Sequence, residues 1–229
     1  MEIEQRTHAL FGNFACFFAD LLSINRSPLS VQERYVHAIQ GAAHLHSALA
    51  SGHGIVVATA HLGNWDLAGR LLSTHGKTVH VLTAPEQHAA LQRLLRQQDH
   101  GLQLRFVNNA DTGVFVQLLM ALRRGDIVAV QIDRATGHRS DVLVPFFGAP
   151  ARFPLGPFVL ARAAQVPVLP CFCLMGADDR YTVCVEEAIT VVAGQEEQAL
   201  RYVLGLLERY VAQAPEQWCN FYDVWDVER

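Results

Sequence analysis

The feature that most constrains this chain is a set of short, nearly unbroken apolar runs spaced along its length. Ile55–Ala60 and Ile127–Ile132 are almost entirely aliphatic, and Val168–Leu174 continues the type. A strand wet on one face alternates apolar and polar residues, whereas a strand covered on both faces reads as a continuous apolar run. Segments with helical periodicity separate these runs, at about 86–99, 111–124, 155–165 and 195–213. Strands alternating with helices predict an α/β fold with a largely parallel central sheet covered by helices. Val168–Leu174 and Tyr181–Glu186 flank Gly176-Ala177-Asp178-Asp179, a turn signal, so the sheet is expected to be mixed. Further strands are expected at Val79–Leu82, Leu104–Val107 and Val142–Phe146. Two N-terminal helices are expected at 5–23 and 30–48.

Composition narrows the classes of function. The chain has 229 residues, 51% hydrophobic and 17% charged, which suits one compact domain. A net charge of −4 without a basic run argues against a nucleic-acid partner. The five cysteines are odd in number and lack Cys-x-x-Cys spacing, so they read as reduced core thiols, with no metal site expected. Leu10, Phe11, Phe14, Phe17, Phe18, Leu21 and Leu22 recur at helical spacing. Gly12, Asn13 and Asp20 interrupt that stretch, which falls short of about 20 clean apolar residues and is not expected to span a membrane. Such a helix either packs on the core or lies in a membrane interface.

The chemistry-bearing segment follows the first strong strand. His61 falls at its carboxyl end, where open α/β sheets gather ligands. Gly63 and Asn64 suit a tight turn into a helix that carries Asp66 in its first turn. A chain turning back there can set the Asp66 carboxylate against one imidazole nitrogen and leave the other facing the crevice, the arrangement of a general base. The same residues also fit a plainer account, with Asp66 complementing a helix dipole. The sequence has no Gly-x-Ser-x-Gly elbow and no glycine-rich phosphate loop, so such a base would act directly on a substrate hydroxyl or on water.

Several segments together carry a resemblance. Ala58-Thr59-Ala60-His61-Leu62-Gly63-Asn64-Trp65-Asp66 resembles the His-x4-Asp motif of the lysophospholipid acyltransferase superfamily, and more narrowly the lipid A late acyltransferase branch of lauroyl and myristoyl transferases. Gln131-Ile132-Asp133-Arg134, Val144-Pro145-Phe146-Phe147-Gly148-Ala149-Pro150-Ala151, Val166-Pro167-Val168-Leu169-Pro170 and Gln217-Trp218 with Phe221-Tyr222 and Trp225 are similar to further blocks of that branch, in order.

The resemblance implies a glycerol-3-phosphate acyltransferase-like fold, with an N-terminal helical segment over 1–50 and an acyltransferase domain over 51–229. It implies transfer of a fatty acyl group from an acyl carrier protein or acyl-CoA thioester to a hydroxyl of a lipid or glycolipid. His61 would be the base, Asp66 its orienting carboxylate, and no cofactor or metal would be needed. Asn64, Asp133, Arg134, Arg152, Phe146 and Phe147 are the expected substrate-binding residues. Arg152 is either a phosphate clamp or a surface residue, and Phe146, Phe147 and Phe153 either line an acyl pocket or fill the core. A peripheral position on the inner face of the cytoplasmic membrane is expected. The arginine that the family commonly supplies after the second strand has no counterpart in Val81–Pro85; either Arg93, Arg96 or Arg105 substitutes, or the acceptor differs from a phosphorylated lipid A precursor. Two other activities fit the same residues: a thioesterase-like hydrolase in which His61 activates water, and a non-catalytic lipid- or carrier-binding homologue.

Overall fold

The computed structural model describes residues 2–84 and 102–227. The expected helix at 86–99, with Arg93 and Arg96, lies outside the described residues.

The elements are α1 (Glu2–Leu22), a four-residue α2 (Leu29–Gln32), β1 (Val36–Gln40), α3 (Ala42–Ala50), β2 (Ile55–Thr59), α4 (Trp65–Leu72), β3 (Val79–Thr83), β4 (Leu104–Asn108), α5 (Val114–Arg123), β5 (Ile127–Gln131), β6 (Asp141–Phe146), β7 (Ala149–Pro154), α6 (Gly156–Ala164), β8 (Val168–Met175), β9 (Tyr181–Val185) and α7 (Glu196–Gln213). Seven strands form one sheet in the order β1-β9-β8-β2-β5-β3-β4. All neighbours are parallel except β8 and β9, the expected hairpin.

The apolar runs lie where their composition placed them. Alternate residues of β2 enter opposite layers: Val56 and Ala58 join one buried cluster, Ile55 and Val57 the other. The same holds for Val128 and Val130 against Ile127 and Ala129 on β5. Burial on both faces is why neither strand alternates. The first layer packs against α5, α6 and α7, the second against α3 and α4.

Two expectations are corrected. The helix foreseen at 30–48 is broken by β1, which pairs with β9 at the sheet edge. Gly41 ends the strand at φ +73, and a Cβ there would lie 1.9 Å from the Val185 carbonyl oxygen, so the turn into α3 needs glycine. In addition, β6 has a partner that was not foreseen: β7 pairs with it antiparallel, forming a separate two-stranded ribbon.

The N-terminal stretch Ile3–Arg26 is long and apolar enough to cross a membrane by length and composition, contrary to the expectation. Its polar interruptions face the domain. Asn13 Nδ2 donates to the Glu216 carbonyl at 3.0 Å, and Asp20 accepts from the Tyr181 hydroxyl. Phe17 and Leu21 are buried, and Phe17 packs on Trp65 with ring centroids 4.2 Å apart. Phe11, Phe18 and Leu22 face outward.

The turn between β2 and α4 is wedged into the sheet. Asn64 N–H donates to the Cys173 carbonyl, Gly63 N–H to Gln217, and Cys219 N–H to His61. Gly63 adopts φ +60, and a Cβ on it would lie 1.8 Å from the Cys173 oxygen. Gly63→Ala is therefore expected to destabilise the fold by more than about 2 kcal/mol, read as a fall in the urea midpoint.

Candidate active site

Parallel pairing brings the central pair together. β2 and β5 are adjacent and in register, Thr59 opposite Gln131. Ile132 N–H then donates to the Thr59 carbonyl at 2.9 Å, which extends the alignment past the strand ends. Two residues beyond each strand stand His61 and Asp133. His61 Nδ1 lies 2.8 Å from Asp133 Oδ1, and the His61 backbone N–H donates to Oδ2 at 3.1 Å. Trp218 Nε1 donates to the same Oδ2 at 2.9 Å.

Asp133 is 0% exposed. Burial by itself would raise its carboxyl pKa. The His61 charge, with hydrogen bonds from the His61 ring, the Trp218 indole and the His61 backbone, outweighs burial and holds it below the ordinary carboxylate value. A carboxylate fixed on Nδ1 sets the tautomer with the proton on that nitrogen, so Nε2 carries the lone pair. The His61 side chain is 20% exposed and sits edge-on to Trp65, with centroids 4.9 Å apart.

This corrects the assignment of Asp66 as the residue that orients His61. Asp66 is held on α4 by Arg70 Nε at 2.7 Å and Asn25 Nδ2 at 2.9 Å, with Arg26 Nη1 at 3.7 Å. The five-residue separation in sequence sends its carboxylate along the helix toward Arg70, one turn on. Asn25 and Arg26, both buried and both missed by sequence reasoning, fix it there.

The other expected site residues divide. Arg134 lines the cleft beside His61, its Nη2 donating to the Cys219 carbonyl at 2.7 Å. Asn64 is buried and caps α4, accepting from Leu67 N–H at 3.0 Å, worth about 1 kcal/mol to the helix. Phe146 is buried in the core, stacking edge-on with Phe153 and Trp218, and so braces the indole that holds Asp133. Phe147 is on the surface at the β6–β7 turn. Arg152 Nε donates to the Val227 carbonyl, tying down the C-terminal segment. Arg105 is exposed on β4, while its neighbours Leu104 and Phe106 line the cleft.

The cleft has an empty volume of about 1350 Å³ and is walled by α1 (Phe14, Phe17, Phe18), by α4 and by the strand ends. Cys219 also lines it, but burial foremost pushes its thiol up to about 11, so it supplies no thiolate nucleophile near neutrality. A second, smaller cavity lies between the sheet, α3 and α4, with a largely aliphatic lining. Among the described residues there is no cluster of three or more His, Cys, Asp or Glu able to hold a metal.

Because its folded pKa is depressed, Asp133 contributes stability that is present above about pH 4 and lost as pH falls through the lower folded value. Asp133→Asn removes that titration, so its stability is expected to fall less steeply below pH 4 than the parent's, read as urea midpoints across the acid range.

The chain is similar in sequence to known proteins. The chain is 34% identical over 155 residues to a phosphatidylinositol mannoside acyltransferase of Mycobacterium tuberculosis (strain H37Rv), covering 67% of this chain and 48% of the relative. It is 30% identical over 137 residues to the protein of the same name from Mycolicibacterium smegmatis, covering 59% of this chain and 45% of that one. The matched region thus spans just under half the length of these relatives. Residues 3–226, nearly the whole chain, match the bacterial lipid A biosynthesis acyltransferase family, and the chain belongs to that family.

Proposed function

We propose that this protein transfers a fatty acyl group from an acyl carrier protein or acyl-CoA thioester to a hydroxyl of a lipid acceptor, with His61 as the general base and Asp133 as the carboxylate that orients it. The carrying observation is the 2.8 Å contact between His61 Nδ1 and a buried Asp133, set in a large cleft with apolar walls. His61 Nε2 takes the proton of the acceptor hydroxyl as its oxygen attacks the thioester carbonyl carbon. The tetrahedral oxyanion collapses with cleavage of the C–S bond, and the imidazolium returns its proton to the departing thiolate. Asp133 supports the imidazolium between these steps. No acyl-enzyme is needed, in keeping with the protonated state of Cys219.

Arg134 offers positive charge to the polar part of a substrate at the cleft wall. A glycolipid acceptor is favoured, because the matched relatives are named for acylating a phosphatidylinositol mannoside. The outward apolar face of α1, with Phe11, Phe18 and Leu22, would rest in the interface of the cytoplasmic membrane's inner leaflet and bring the cleft to its lipid. Asp66 serves the site by tying α4 to Asn25 and Arg26, with Arg70 of the same helix holding its carboxylate in place.

Purified protein incubated with acyl-CoA or acyl carrier protein donors and a lipid extract is expected to give an acylated lipid by mass spectrometry. Release of free fatty acid with no acylated acceptor would instead mean hydrolysis. His61→Ala is expected to lower the rate by about 10³-fold or more with an unchanged circular-dichroism spectrum. Asp133→Asn is expected to lower kcat on the order of 10³–10⁴-fold, because an amide facing Nδ1 favours the wrong tautomer. Replacing Phe11 and Phe18 together by Ser is expected to lower co-sedimentation with anionic vesicles several-fold while leaving the circular-dichroism spectrum unchanged.

A further inference from the structure

One residue of the wall between the two cavities is a glycine. The cleft around His61 and the cavity beneath α3 and α4 share Thr59, Trp65, Gly69 and Ala129 as walls. Gly69 lies in the interior of α4, where glycine is among the least favourable residues. Unlike Gly41 and Gly63, it does not have a positive φ, and a Cβ built on it meets no atom within 4 Å. The helix would gain from a side chain there and has room for one. A side chain there would project into open space at the wall that the two cavities share.

The far cavity suits a hydrocarbon. Its lining includes Leu45, Val57, Leu169 and Val185, and the Cys171 thiol that joins them is pushed up to about 12, chiefly by burial, and so stays uncharged. It reaches from Ala129 on β5 across β2, β8 and β9 to Ile39 on β1. Four strand spacings of about 4.8 Å make that span on the order of 19 Å, long enough for a long fatty chain.

We propose that Gly69 sets acyl-chain length: a chain whose thioester carbonyl sits at His61 passes Trp65 and Gly69, and its tail occupies the far cavity. The assignment rests on the acyl-transfer function proposed above. Each methylene buried strengthens binding about fourfold, so a side chain that shuts several methylenes out of the cavity weakens long donors on the order of 100-fold and spares short ones.

The test compares the parent, Gly69→Ala and Gly69→Leu with octanoyl-, lauroyl- and palmitoyl-CoA. Binding is measured by calorimetry, and transfer by release of the coenzyme A thiol in the presence of a lipid extract. Gly69→Leu is expected to weaken palmitoyl-CoA on the order of 100-fold and to leave octanoyl-CoA within about threefold. Gly69→Ala should fall between Gly69→Leu and the parent, with a Tm at or above the parent's, which separates the effect from misfolding. An unchanged length profile in Gly69→Leu, or equal weakening at every length, overturns the proposal. A Gly69-dependent length preference in binding, with no thiol release from any variant and no acylated lipid from the matching acyl carrier protein donors, upholds the assignment of Gly69 and overturns acyl transfer. Transfer with an unchanged length profile does the reverse.

Discussion

The pairing of β2 with β5 is the constraint on which the site depends. Parallel strands in register hold equal advances along two distant pieces of chain side by side, so Thr59 opposite Gln131 carries His61 to Asp133 two residues later. Neither residue needs a specialised loop of its own to find the other. The backbone ladder sets their approach, and the His61 N–H bonded to Asp133 Oδ2 locks it. The remaining partners then serve the pair. The C-terminal segment closes on the His61 turn through Gly63–Gln217 and Cys219–His61 hydrogen bonds and delivers Trp218 to the buried carboxylate. A buried charge with one fewer donor would be costly, since each unmet hydrogen bond to an ionised group forfeits about 1.5–3 kcal/mol.

Strand identity was legible in the sequence because burial on both faces leaves a plain mark in composition. Ile55–Thr59, Ile127–Gln131 and the β8–β9 hairpin follow from it. Strand adjacency left no such mark. His61 and Asp133 both stood out as strand-end residues, yet the sequence offered Asp66 as the nearer carboxylate, because 72 residues separate the true contact. The break of the expected helix at 30–48 was equally hidden. Val36–Gln40 has helix-compatible residues, and only the waiting edge of β9, with the left-handed turn at Gly41, makes it a strand. Phe146 and Asn64 were marked as notable without their roles being readable, since a residue that braces a site and one that lines it can belong to the same motif.

The first helix is apolar on both sides, with Phe17 and Leu21 buried against the body of the protein and Phe11, Phe18 and Leu22 facing out. Its mid-helix polar groups Asn13 and Asp20 bond to the body. Phe11 and Phe14 also pack on Phe221 from the C-terminal segment, with centroids 5.6 and 5.0 Å apart. The two ends of the described chain therefore build one apolar rim beside the cleft that opens on His61.

The indole bond from Trp218 to Asp133 also bears on synthesis. It joins residues 85 apart and comes from a turn that follows the last long helix. A chain folding as it leaves the ribosome can lay down β2 and β5 and bring histidine and carboxylate near each other well before that turn emerges. Until then the carboxylate lacks its third donor and the His61 turn has only the sheet on one side to lean on. The nascent protein therefore holds histidine and carboxylate side by side without the clasp that fixes them, until the segment carrying Trp218 emerges.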